Sequence, residues 1–109
     1  MPECWTALTA LAEATSRVML GPLVLNVANR PAGVLANMAA TLQDVSGGRL
    51  LLGLGAGGGR NTPYAAEQDA IGRPVGTDTE RRRELERAIA TIRGLWSGDP
   101  AGFLRPSPA

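Results

Sequence analysis

Ala39-Ala-Thr-Leu-Gln-Asp-Val-Ser-Gly-Gly-Arg-Leu-Leu-Leu-Gly-Leu-Gly-Ala-Gly-Gly-Gly59 is the stretch that decides the fold. It reads as the end of a helix, a glycine stop, a short apolar strand and a glycine-rich loop at the strand's carboxyl end. In α/β proteins ligands sit at that end, because side chains and bare amides there face an open crevice. The stretch therefore predicts an α/β enzyme fold and says where a cofactor would lie.

Working outward, Pro31 to about Val45 reads as the helix before the glycine stop, with Pro31 as its first residue and Val34, Met38, Leu42 and Val45 on one face. Ser46-Gly47-Gly48 ends it, since glycine supplies the left-handed cap without steric cost. Leu50 to Leu54 is a strand. Upstream, Val18 to Leu25 is a second continuous apolar run, and continuity rather than alternation predicts a strand buried on both faces. Gly21-Pro22 interrupts it, so a bulge or distortion is expected there. A helix-bearing crossover joins the two strands, the unit that produces parallel pairing.

Trp5 to about Ser16 reads as a first helix with Trp5, Leu8, Leu11, Ala12 and Thr15 on one face. Beyond Gly59, a short helix runs to Ile71 and stops at Gly72-Arg73-Pro74. Thr77 and Glu80 match a capping box that opens a last helix, striped by Leu85, Ile89, Ile92 and Trp96 and ended by Gly98. The organisation expected is one unit over residues 1–98 and a Pro-rich tail over 99–109. Two parallel strands with three to four helices are too few to close a (β/α)8 barrel, which runs to about 250 residues. The pattern is that of an internal segment of such a barrel.

Composition narrows the chemistry. The 109 residues contain no His, so no Ser-His-Asp or Cys-His arrangement and no His metal site can be built, and no metal is expected. The single cysteine, Cys4, cannot form an intrachain disulfide. No run approaches the ~20 apolar residues of a membrane span, and no signal-like layout opens the chain. A cytoplasmic protein without membrane contact is expected. All 11 basic residues are Arg, yet the net charge is only +1. Arg81-Arg82-Arg83 is interleaved with Glu80, Glu84 and Glu86 at helical contact spacing, which predicts a solvated, salt-bridged face and no nucleic-acid partner. Arg49, just after the glycine stop, is placed to anchor the lower rim of the strands.

Gly53-Leu-Gly55-Ala-Gly-Gly58 matches G-x-G-x-x-G after a strand. A dinucleotide fingerprint also needs a helix opening at the last glycine and a second strand ending in an acid. Gly59-Arg-Asn-Thr-Pro63 follows instead. The absence of Lys excludes a Walker loop. The glycines make either a tight turn or a surface that lets backbone approach a flat cofactor, and five glycines in seven residues favour the second.

Glu3-Cys-Trp-Thr-Ala-Leu-Thr-Ala-Leu-Ala-Glu-Ala-Thr-Ser-Arg-Val-Met-Leu-Gly21, then Arg30-Pro-Ala, Ala39-Ala-Thr-Leu, Ser46-Gly-Gly-Arg-Leu and Leu52-Gly-Leu-Gly-Ala-Gly57 together resemble the luciferase-like monooxygenase superfamily. Glu80-Arg81 and Ile92-Arg-Gly-Leu-Trp-Ser-Gly98 continue the resemblance in the same order. It implies the segment from the second helix through the third and fourth strands of a (β/α)8 barrel. It also implies a flavin- or deazaflavin-dependent oxidoreductase, of the monooxygenase or hydride-transfer class, using coenzyme F-420 or FMN. The variant is most similar to members that use F-420.

The same resemblance implies a non-proline cis peptide at Leu23-Val24, backing the cofactor ring. Asn26 would approach the ring, and Ala56, Gly57 and Asn61 would line the cofactor from the next strand. Some deazaflavin-dependent members carry a carboxylate where this chain has Gly58, and the family's catalytic His or Asp lies on earlier strands. No catalytic residue is therefore assigned, and the isolated chain is expected to be inactive. A small-molecule substrate and, for the full-length enzyme, a homodimer are the partners implied. Two alternatives stay open: a Rossmann-type NAD(P)-binding fragment, and a non-enzymatic remnant that folds on a partner through its exposed strand edges.

Overall fold

The computed structural model describes residues 3–98; the tail expected over 99–109 lies outside them. Four helices and two short parallel strands follow in the order α1 (Cys4–Ala14), β1 (Leu25–Asn26), a 3-10 turn (Val27–Asn29), α2 (Ala32–Val45), β2 (Leu54–Gly55), α3 (Pro63–Ala70) and α4 (Asp78–Trp96). The fold is α/β, with β1 and β2 paired in parallel across the α2 crossover.

Each helix begins and ends where its polar residues dictate. The Glu3 carboxylate accepts from the amides of Trp5 and Thr6, two of the donors that a helix start leaves without a partner. Thr77 and Glu80 form a complete capping box on α4. Gly47 and Gly48, at φ 70° and 87°, let the chain turn left after α2, and the Gly48 amide donates to the Gln43 carbonyl. Pro31 is the cap of α2 rather than its first residue.

The Glu3 carboxyl is held at about 2, chiefly by the Thr6 amide, with the Trp5 amide, the Thr6 hydroxyl and the Arg30 guanidinium at 2.7 Å adding to it. A depressed pKa means the stabilisation is full above the ordinary value of 4.5 and is lost as pH falls toward about 2. Because the side chain is half exposed, we expect Glu3→Gln to cost about 1 kcal/mol at pH 7 and almost nothing at pH 2, measured by urea unfolding at both pH values.

The core gathers Trp5, Leu8 and Ala12 of α1, Leu20 and Leu25 of the first strand segment, Leu35, Ala36, Ala39 and Leu42 of α2, and Ile92 of α4. The α2 face that is buried is thus not the expected Val34-Met38-Leu42-Val45 stripe. Val34 and Val45 are about half exposed, and the buried face is rotated to Leu35, Ala36, Ala39 and Leu42. Ala36, whose carbonyl accepts from Trp96, and Gly33, which faces Leu95, stand where α4 packs against α2. The α4 stripe is buried most at Ile92, with Ala88 beside it. Trp96 lies at its end, half exposed, and its indole N–H donates to the Ala36 carbonyl at 3.0 Å.

The two apolar runs are not buried on both faces. Leu20 and Leu25 enter the core, whereas Val18, Met19, Leu23, Val24 and Leu51 are exposed. Helices cover one face of a two-stranded sheet here, and the other face is open among the described residues. The expected distortion is present as a bulge. Leu20 faces Leu50, while Leu25 faces Leu54, so the first segment carries one extra residue between these pairs. It is built entirely from trans peptides; the cis bond implied at Leu23-Val24 is absent, and the extra residue takes up the bend instead.

Arg49 anchors the lower end. Its guanidinium donates to the carbonyls of Ala12, Thr15, Val18 and Ser46 and to the Thr15 hydroxyl, at 2.6–3.1 Å. One side chain thereby closes the open carboxyl end of α1 and ties it to the turn before β2.

Candidate cofactor wall at the strand ends

Asn26 ends β1 and Ala56 follows β2, so parallel pairing brings the two carboxyl ends side by side. The Asn26 amide is fixed from three directions. Its Nδ2 donates to Gln68 Oε1 at 3.0 Å and to Asn29 Oδ1 at 3.3 Å, and its Oδ1 accepts from the Ala28 amide at 2.9 Å. Both Nδ2 protons are thus used, and Oδ1 keeps one lone pair for a further donor. Gln68 is 4% exposed and reaches this position from α3, with its Nε2 donating to the Pro74 carbonyl at 3.4 Å.

The glycines allow close approach, and what approaches at four positions is the chain itself. A Cβ on Gly53 would strike the carbonyl oxygens of Leu23 and Pro22, and one on Gly55 would strike the Val24 side chain. A Cβ on Gly57, which also has φ 77°, would lie 2.6–2.8 Å from the Asn26 amide. At Gly58 it would meet Thr62 and Tyr64. These glycines let the loop nest against the bulge. No helix opens at Gly58; Thr62 closes a turn onto the Gly59 carbonyl and α3 starts at Pro63.

The structure therefore unites Val24, Asn26, Ala56 and Gly57, with Leu23 beside them. Leu23 is 93% exposed and Val24 65%, an apolar surface that nothing covers among the described residues. Asn61 is exposed on the turn beyond, and no hydrogen bond links its side chain to the other five. The patch is apolar at Leu23 and Val24 and ends at the Asn26 amide oxygen, beside the glycine backbone of 55–57. Leu23, Val24, Asn26, Ala56, Gly57 and Asn61 include no carboxylate or imidazole.

Arg81 is where the expected solvated face fails. Arg82 and Arg83 are exposed, and Glu84 pairs with Arg87 at 3.5 Å. Arg81 instead turns inward with its side chain 18% exposed, donating from Nη1 to the Gly57 carbonyl at 2.6 Å and from Nη2 to Asp78 at 2.7 Å. Its Nε is buried without a hydrogen-bond partner among the described residues. Gln68 and Arg81 were not legible as site residues: one sits on a short polar helix, the other inside a charge run.

Among the described residues no cluster of His, Cys, Asp and Glu could hold a metal, and no helix is long and apolar enough to cross a membrane. The chain matches the family model of luciferase-like monooxygenases over residues 1–104. It is 38% identical over 108 residues to the phthiodiolone/phenolphthiodiolone dimycocerosates ketoreductase of Mycobacterium tuberculosis, covering 97% of this chain and 26% of that protein. It is 38% identical to the F420-dependent glucose-6-phosphate dehydrogenase of Beutenbergia cavernae (90% of this chain, 28% of that protein). It is 35% identical to the 5,10-methylenetetrahydromethanopterin reductase of Methanolobus tindarius (89% and 27%). The chain spans about a quarter of the length of these curated relatives. With the model match running through both strands and all four helices, this chain belongs to the luciferase-like monooxygenase family.

Proposed function

We propose that this chain supplies part of the cofactor wall of an oxidoreductase that uses coenzyme F-420 or FMN and acts on a small-molecule substrate in the cytoplasm. The observation that carries the reading is the uncovered bulge of Leu23 and Val24 beside Asn26 and the Ala56-Gly57 backbone. One relative is by name F420-dependent, which favours the deazaflavin. When bound, such a cofactor supplies the hydride, or in the case of reduced FMN the oxygen chemistry; the protein contributes position and electrostatics.

Leu23 and Val24 would bear on the ring face and exclude water from it. Asn26 would present Oδ1 to an N–H at the ring edge, its orientation set by Gln68 and the Ala28 amide. Gly57, pinned by Arg81, would keep the opposite side low enough for the ring to enter. The open sheet face and edges are the surfaces that further barrel strands, and in the full-length enzyme a second subunit, would adjoin.

Titration of F-420 fluorescence with the chain tests this. Saturable binding that FMN competes for and NADP does not is expected; selective competition by NADP would favour a nicotinamide site. With no acid or base in the wall, turnover of reduced F-420 or FMN by this chain is expected to stay at the uncatalysed rate.

A further inference from the structure

Residues 57–76, which are α3 and the loops that flank it, are attached to the molecule by polar bonds rather than by an apolar face. Gln68 is the one buried residue of α3, and Tyr64 and Ile71, the large apolar side chains at its two ends, are exposed. Among the described residues, the only side-chain hydrogen bond from α3 to an element outside this segment is the 3.0 Å bond from Asn26 Nδ2 to Gln68 Oε1. Other bonds close the segment on itself: Gln68 Nε2 to the Pro74 carbonyl, Arg60 Nε to the Val75 carbonyl at 3.0 Å, and the Arg73 amide to the Gln68 carbonyl at 3.1 Å. Glycines stand at both ends, Gly57 at φ 77° and Gly72 at φ 76°, with Gly58, Gly59 and Gly76 beside them. Arg81 pins the first end at the Gly57 carbonyl, and the buried Val75 pins the second.

We propose that residues 58–74 form a strap latched by Gln68, which swings open about these glycines while α1, α2 and α4 stay folded. Lifting the strap exposes little apolar surface and hands its polar groups to water, so it opens at a free energy far below that of global unfolding. Glycine absorbs the backbone rotation that a hinge needs. A single net hydrogen bond such as Asn26 to Gln68 favours the closed state by about tenfold or less. Closed, the strap and Asn29 use both Nδ2 protons of Asn26, and the amide offers the strand end an acceptor only. Open, one Nδ2 proton is released and the amide can turn either atom outward. The strap therefore sets which hydrogen-bonding group Asn26 presents to a ligand; this consequence rests on the cofactor-wall reading, and the opening itself does not.

Amide hydrogen exchange of the 109-residue chain, followed by NMR at zero and low urea, tests this. Amides 67–70 and 73 are expected to be protected about 100-fold less than those of residues 35–42 and 92, with a rate that low urea leaves unchanged. Gln68→Ala should speed exchange of the strap amides about tenfold further and shift an Asn26 Nδ2 proton signal, with residues 35–42 and 92 unaltered. Gln68→Glu keeps an acceptor for Asn26 and should restore that signal. Strap amides that exchange only with the core, at the same rate and with the same urea dependence, overturn the proposal. So does Gln68→Ala if it speeds the core amides equally or leaves the strap amides unchanged. No cofactor enters the experiment, so a chain that fails to bind F-420 overturns the cofactor reading and leaves the strap standing.

Discussion

Replacing Arg49 by Ala is expected to lower stability by about 3–5 kcal/mol, a large share of the roughly 5–15 kcal/mol a domain possesses. Five hydrogen bonds are lost at once, and the carbonyls of Ala12 and Thr15 at the end of α1 are left without their cationic partner. Water can reach part of the site, because Arg49 is only half-buried, and this keeps the figure well below the sum of five charged bonds. Arg49→Lys is expected to recover less than half, since one ammonium cannot address acceptors on both sides of the turn. Urea unfolding followed by far-UV circular dichroism measures both variants. A loss under 1 kcal/mol for the alanine variant would show that α1 is held by its apolar face alone.

The second large effect falls on the bulge. Gly53→Ala drives a methyl into the carbonyls of Leu23 and Pro22, neither of which is a flexible side chain able to move aside. The Leu25 amide donates to the Gly53 carbonyl at 2.9 Å, so displacing the backbone here also breaks the start of the parallel ladder. We expect a loss of about 3 kcal/mol together with loss of cofactor binding. Gly47→Ala is the contrast: its φ of 70° is unfavourable, but no atom lies within 4 Å of the new methyl. That change should cost about 1 kcal/mol and leave binding intact. Equal losses in the two variants would mean that glycine acts at position 53 through backbone freedom rather than close approach.

What could be read from the chain follows the range of the forces involved. Helix ends were legible because caps are local: Thr77 with Glu80 and Ser46-Gly47-Gly48 act within five residues. The bulge was legible because Gly21-Pro22 cannot continue a regular ladder. The buried face of α2 was not, since two stripes a third of a turn apart were both apolar and only the approach of α4 chooses between them. The larger Val34 and Val45 attract the reading, while Ala36 and Ala39 are buried, Ala36 against Trp96 of α4. Strand burial was overestimated for a related reason. A continuous apolar run reports the sheet for which the sequence is suited, and two strands with helices on one side leave Leu23, Val24 and Leu51 open.

The site divides in the same way. Ala56 and Gly57 stand at the strand end to which the glycine content points, Asn26 was implied only by the family resemblance, and the structure sets the three side by side. Gln68 and Arg81 act across 42 and 24 residues of chain, on Asn26 and Gly57 respectively. Nothing in a polar eight-residue helix or an Arg-Arg-Arg run distinguishes a buried orienting group from a solvated one. Position in the fold makes that distinction.

If the strand ends form a wall for a flat redox cofactor, an amide NMR map of the chain titrated with oxidised F-420 will show it. Dispersed signals with saturable shifts at residues 23–26 and 56–61 are expected, reproduced by FMN and not by NADP. Shifts that avoid both segments, or a well-dispersed spectrum that F-420 and FMN leave unchanged, would contradict it.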